Sequence, residues 1–256
     1  MARIISFCNQ KGGVGKTTCC ANLALFLASK GKNVLCIDFD QQGSLSGCLS
    51  NETNSHYDKN DNLITVVDVL KGEKNIADAL IHVNDNLDLL PCNDKLMEFK
   101  EKALSSASGN FKLKNLIKNN DLRKKYDFIL IDTLPSLDIT QYNALFASDE
   151  IIIPLNLCDF ALQGVSTLLM TIESLKEADL NVRINGFLIN KYESKRTKDE
   201  DIYKEIEEIA KDKGIYLYKN RIRNLSSVAR IAHNDISQYV LNEDIINFGN
   251  EFLNRV

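Results

Sequence analysis

Residues 9 to 18, Asn-Gln-Lys-Gly-Gly-Val-Gly-Lys-Thr-Thr, gather three glycines, two lysines and two threonines within ten positions. Gly12, Gly13 and Gly15 lack a Cβ, so the backbone around Val14 is free to take positive φ and aim several N–H groups at one anion. Lys16 is placed to reach β- and γ-phosphate oxygens, and the Thr17 hydroxyl to ligate Mg²⁺, with Thr18 following at the start of a helix. Two further groups of acids belong to the same chemistry. Asp38 and Asp40 close one apolar run and Asp132 closes another. Acids beside a triphosphate are useful only if Mg²⁺ or an attacking water lies between them and the anion.

The elements that must position these residues are readable around them. Ile4–Cys8 is an apolar strand and Ala21–Ala28 a helix, so the glycine loop sits in the strand–turn–helix context that phosphate binding needs. The helix N-terminus adds partial positive charge. Gly31 ends the helical periodicity as a C′ glycine does. Asn33–Asp38 and Tyr126–Asp132 then read as buried parallel strands with a carboxylate at the carboxyl end, where ligands of open α/β sheets collect. Glu150–Leu155 and Arg183–Asn190 are further core strands, and Asn86–Pro91 a short one closed by proline. Thr65–Leu70 and Ile76–Ile81 read as short helices, and Thr197 with Glu200 as a capping box for a helix through Lys211. The fold class is therefore α/β: a doubly wound, mostly parallel sheet flanked by helices, with 1–256 as a single domain.

Composition restricts the function. With 31 Lys and Arg against 35 Asp and Glu the formal charge is −4, so any nucleic-acid contact must come from a local patch. No apolar run approaches the ~20 residues of a membrane span. A strand begins within three residues of the N-terminus, so no signal peptide is expected and the location is cytoplasmic. The seven cysteines form no C-x-x-C pair and several lie in apolar runs, which fits buried free thiols rather than a metal or redox centre. His56 falls in a polar loop, and His82 is expected to be structural.

The loop departs from the strict G-x-x-x-x-G-K-T pattern, because Gln10 stands where its first glycine belongs and Lys11 lies inside the loop. This deviant Walker A form, K-G-G-V-G-K-T, resembles that of the ParA/MinD family of dimerising ATPases. Asp38-Phe39-Asp40-Gln41-Gln42-Gly43-Ser44 resembles the family's switch I, with Gln41 in place of its usual proline, and Thr133-Leu134-Pro135-Ser136 its switch II. Asp159–Gly164 resembles the family's E-x-x-A-L-x-G segment. The resemblance implies a P-loop ATPase binding ATP and Mg²⁺, in which Lys11 crosses a homodimer interface to the partner's nucleotide and two subunits sandwich two ATP. Asp38 then belongs to the metal's outer shell, Asp40 positions or activates the water, and Asp132, the Walker B acid, holds Mg²⁺ through water. Asn190 either contacts adenine or simply forms a turn.

Lys219–Arg230 holds four cations and no acid, with hydroxyl and amide side chains able to bond phosphates. It resembles, with a gap, a stretch in which partition members touch DNA backbone. Arg223 and Arg196 are the matching positions, and Lys219, Arg221 and Arg230 complete the candidate patch. Read this way, the chain is most similar to ParA/Soj-type partition ATPases without an N-terminal helix-turn-helix. The partners implied are non-specific double-stranded DNA and a ParB-like centromere-binding protein, with location at the nucleoid. The alternative is a MinD-like positioning ATPase at a membrane. The amphipathic stretch Asn242–Val256 argues against stable membrane association, because it carries Glu243, Asp244 and Glu251 against only Arg255. Electron transfer would need paired cluster cysteines, and Cys92 and Cys158 lack the surrounding glycines.

Overall fold

The structure, a computed structural model, describes residues 1–50, 63–106, 108–158, 161–177, 180–193, 197–225 and 241–256. His56, Asp159, Phe160, Arg196 and Arg230 lie outside the described residues. Seven strands form one sheet: β1 Arg3–Phe7, β2 Val34–Phe39, β3 Ile81–Asn84, β4 Leu87–Leu90, β5 Phe128–Thr133, β6 Glu150–Leu155 and β7 Arg183–Ile189. The order is β3-β4-β2-β5-β1-β6-β7, and every pair is parallel except β3 with β4. The helices described are α1 Lys16–Ser29, α2 Ser44–Leu49, α3 Val66–Leu70, α4 Ile76–Ala79, α5 Leu96–Leu104 and α6 Lys112–Asn119. They continue as α7 Leu122–Lys125, α8 Ile139–Ala147, α9 Ala161–Lys176, α10 Thr197–Asp212 and α11 Glu243–Leu253.

The central strands are continuously apolar because both faces of the sheet are covered. Strand periodicity of two sends alternate side chains to opposite layers. Ile5, Phe7, Cys36 and Leu130 pack with α1, α2 and α11, whereas Ile4, Ile37, Phe39 and Ile131 pack with α3, α5, α6 and α8. A third cluster joins β6 and β7 to α8, α9 and α10 through Ile151, Phe187, Val165, Leu168 and Ile206. Helix α1 is buried almost all round, because α11 lays Ile245, Phe248 and Phe252 into the same cluster.

One local expectation is corrected. The helix expected over Ile76–Ile81 stops at Ala79, and Leu80 turns to extended backbone (φ −73°, ψ 128°). β-branched Ile81 opens β3, an antiparallel edge strand opposite Leu89, and His82 pairs across it with Asp88. The capping box expected of Thr197 and Glu200 depends on a Thr197 side chain outside the described residues; α10 begins at Thr197, and Glu200 accepts from Tyr192 and Arg221.

Candidate nucleotide site

The glycine loop leaves the carboxyl end of β1, which lies between β5 and β6, with β2 on the far side of β5. Gly13 (φ 75°) and Gly15 (φ 88°) take left-handed backbone, as the absence of a Cβ permits. At Gly15 no side chain would fit: a Cβ there would lie 2.1 Å from Asn190 Nδ2. Gly15 is also the N-cap of α1; no side chain caps that end, and no acid stands in its first turn. The helix therefore offers unsatisfied N–H groups and its positive pole at the loop. Asn9 braces the entry, donating to the Pro154 carbonyl and accepting from Lys11 N. Gly12 faces Pro135, which sets the second switch-like segment against the loop, and Val14 is buried.

Lys16, Thr17, Asp38, Asp40 and Asp132 converge here from three elements. Thr17 Oγ1 donates to Asp132 Oδ2 at 2.5 Å. Asp38 and Asp132 are register partners across β2 and β5. Asp38 is held by three donors: Ser46 N (2.8 Å), Ser46 Oγ (2.7 Å) and Asp40 N (3.0 Å). Asp40 accepts from Gln42 N at 2.9 Å and remains 8% exposed, where Asp38 and Asp132 are fully buried. Burial pushes the Asp38 carboxyl up to about 7 against its hydrogen bonds. Burial, and next the neighbouring Asp38, hold Asp132 well above the usual carboxylate range, and burial raises Asp40 as well. Lys16 is held below its ordinary value by burial, in spite of Asp132 and Asp40.

These residues fit a hydrated Mg²⁺ and a phosphate chain. Asp132 Oδ1 is buried with no hydrogen-bond partner, while the hydroxyl of Thr17 sits on its other oxygen. Among the described residues no three His, Cys, Asp or Glu side chains converge as a metal cage. A cation at Thr17 therefore needs further oxygens from phosphate and water, which is the habit of Mg²⁺. Thr18 supplies a backbone carbonyl to Asn22 inside α1.

Lys11 and Asn190 meet partners within the chain. Lys11 donates to Cys158 Sγ, a half-buried thiol. Asn190, 2% exposed, uses its amide on the Val14 carbonyl at 2.8 Å, so this donor is spent on the loop backbone. Cys158 and Ser46, and Lys191 next to Asn190, were invisible as site residues in the sequence. Lys191 offered only its charge and its place after a strand.

The described part of the basic segment is not a bare cationic surface. Arg223 binds Asp244 through Nε, through a second guanidinium nitrogen and through its backbone N–H. The Arg221 guanidinium lies 3.7 Å from the Tyr203 ring centroid and 4.9 Å from that of Tyr192, with Glu200 at 3.5 Å. Lys219 gives its backbone N–H to Glu251. Tyr203 and Tyr192, brought from 18 and 29 positions earlier in the chain, stack on this segment at Arg221.

An open parallel sheet with a glycine loop, a buried lysine, a hydroxyl and a strand-end aspartate at the carboxyl ends defines a P-loop ATPase site. A family described as "AAA domain" matches residues 2–185. The chromosome partitioning protein ParA of Caulobacter vibrioides is 33% identical over 207 residues, covering 80% of this chain and 75% of that protein. Among solved structures, a plasmid partition protein from Borrelia burgdorferi superposes with a TM-score of 0.77 at 29% identity, over 100% of this chain and 99% of that one. Cobyrinic acid a,c-diamide synthase from Mycobacterium smegmatis, with bound ADP and magnesium, gives a TM-score of 0.78 at 29% identity over 91% of each chain. The chain belongs to the ParA/MinD-type family of partition ATPases.

Proposed function

We propose that this chain is an ATP-dependent dimerising switch that binds DNA without sequence preference and drives plasmid or chromosome partition. The observation that carries the nucleotide reading is the group formed by Lys16, Thr17 and Asp132 beside an uncapped helix N-terminus. The loop N–H groups and Lys16 take the phosphates of ATP; in a water-poor site such charges count for more than in solution. Mg²⁺, when bound, neutralises and orients the β- and γ-phosphates. Thr17 is its protein ligand, Asp132 and Asp38 orient its outer shell, and Asp40, the most open of the three acids, positions the attacking water. Lys11, leaving Cys158, reaches the partner subunit's nucleotide, where a lysine contributes several kcal/mol as charge builds on the leaving phosphate. Hydrolysis then releases the dimer. Residues 1–256 act as one ATPase domain, in the cytoplasm and at the nucleoid, with a ParB-like centromere-binding protein stimulating turnover.

The deciding experiment is binding to random-sequence duplex DNA with ATP, ADP or no nucleotide over a salt series. Binding only with ATP, lost at high salt, is expected. DNA binding that ignores nucleotide would overturn the switch. Its absence despite ATP-dependent dimerisation would overturn the DNA role and direct the same assay to anionic vesicles, as for a MinD-like protein.

A further inference from the structure

Lys191 follows β7 with φ 55°, left-handed backbone that non-glycine residues seldom take. From there its Nζ donates to the Gly13 carbonyl at 2.7 Å, while the amide of its neighbour Asn190 donates to the Val14 carbonyl at 2.8 Å. Two consecutive carbonyls of the glycine loop are thus held by two consecutive residues of another element. In a planar trans peptide the C=O and the next N–H point in opposite directions, and no described peptide bond is cis. Holding the Gly13 and Val14 carbonyls toward the end of β7 therefore turns the Val14 and Gly15 N–H groups to the opposite side of the loop. The positive φ values of Gly13 and Gly15 make that arrangement accessible.

We infer that Lys191 is a positioning residue for phosphate binding, acting with Asn190 to fix which way the loop's N–H groups face. Without it, the Gly13–Val14 peptide is free to flip, and a flipped peptide presents a carbonyl to the anion. Asn190 alone does not prevent this, because its amide reaches only the next peptide. The inference rests on the reading of this loop as a nucleotide site.

The test uses the full chain and Mg·ADP, with Lys191→Gly, Lys191→Arg and Lys16→Ala compared by calorimetry. Glycine accepts φ 55° without strain, which offsets the lost hydrogen bond and the added chain entropy, so Lys191→Gly should melt close to the parent temperature. Its affinity for Mg·ADP should nevertheless fall roughly tenfold, the scale of one charge-assisted hydrogen bond. Lys191→Arg, which keeps a donor, should recover most of that loss. In ¹⁵N-glycine-labelled protein, the Gly15 amide should move downfield on Mg·ADP addition, and move less in Lys191→Gly. Parent-like affinity and an unchanged Gly15 shift in Lys191→Gly, with binding lost in Lys16→Ala, would overturn the positioning role alone. A parent protein that binds no Mg·ADP would remove the nucleotide reading and the inference with it.

Discussion

Asp38 and Asp132 stand opposite each other across the β2–β5 ladder, two fully buried carboxylates on adjacent strand ends. Lys16 from α1 and Asp40 after β2 are the other charges that face them. Both carboxyls lie above the usual carboxylate value near 4, Asp38 at about 7, so the folded site holds protons that the unfolded chain releases. Stability from such groups is fully present below the unfolded value and is lost as pH rises through the folded one. The nucleotide-free protein should therefore melt at a lower temperature at pH 8 than at pH 6, and Mg·ADP should narrow the gap. Melting curves at the two pH values, with and without ligand, test this. A higher midpoint at pH 8 without ligand would contradict it.

Asp132→Asn separates stability from function at the same place. Asparagine keeps an oxygen for the Thr17 hydroxyl and puts an amide where Oδ1 now has no partner. Removing the buried carboxylate should stabilise the nucleotide-free protein by about 1–3 kcal/mol where the acid is ionised, and by less as pH falls and the acid takes up its proton. Mg²⁺-dependent nucleotide affinity should fall in the same variant. Urea unfolding that shows a loss of stability at pH 8 would mean that the charge is compensated in the free protein.

Lys16→Ala and Asp40→Ala should fail differently. The lysine is buried at the start of α1 beside Asp132 and Asp40, and its loss should abolish nucleotide binding. Asp40 is the partly open carboxylate, so Asp40→Ala should bind ATP and dimerise yet turn over at least ~10²-fold more slowly, the usual scale of a lost acid–base or water-positioning group. Single-turnover phosphate release on ATP-loaded protein separates the two. Normal release by Asp40→Ala would move the water-positioning role to another residue.

The fold and the gathering of Lys16, Thr17, Asp38, Asp40 and Asp132 at one candidate site were legible because each depends on short, contiguous chemistry. The strand-end positions of Asp38 and Asp132 follow from apolar runs that stop at an acid, and the loop from glycines beside Lys16 and Thr17. What escaped reading depends on side chains meeting across the fold. Glu200 accepts from Tyr192 and Arg221, 8 and 21 positions away in sequence, contacts that no local pattern announces. The β3 edge strand has only four residues and half-exposed Ile81 and Val83, too short to show a period. Lys191 and Cys158 acquire meaning only when Gly13 and Lys11 are brought beside them, 178 and 147 positions away in sequence.

Gly249 fixes how α11 lies on α1. A Cβ there would stand 2.3–2.5 Å from three ring atoms of Phe26, itself buried in the main cluster. Gly249→Ala should destabilise the protein by about 1–3 kcal/mol, since overpacking forces side chains off their rotamers or the helix off its seat. Denaturant midpoints measure it. An unchanged midpoint would show that α11 can detach without consequence, and would reopen the question of whether this helix has another surface to bind.

The ion pair between Arg223 and Asp244 makes the DNA reading testable in both directions. Arg223 is half exposed, but its guanidinium and backbone N–H are both directed at one carboxylate at the start of α11. If this arginine meets phosphate, DNA competes with Asp244, and Asp244→Asn should tighten ATP-dependent DNA binding several-fold at low salt, where such contacts are strongest. Arg223→Ala should weaken binding to the same degree on every duplex sequence and lower the salt slope by about 1. If Arg223 serves only to anchor α11, both variants should lower the melting temperature and leave DNA affinity unchanged. A loss confined to particular sequences would instead place this residue against base edges. Fluorescence anisotropy on two unrelated duplexes, with melting curves on the same samples, distinguishes the three outcomes.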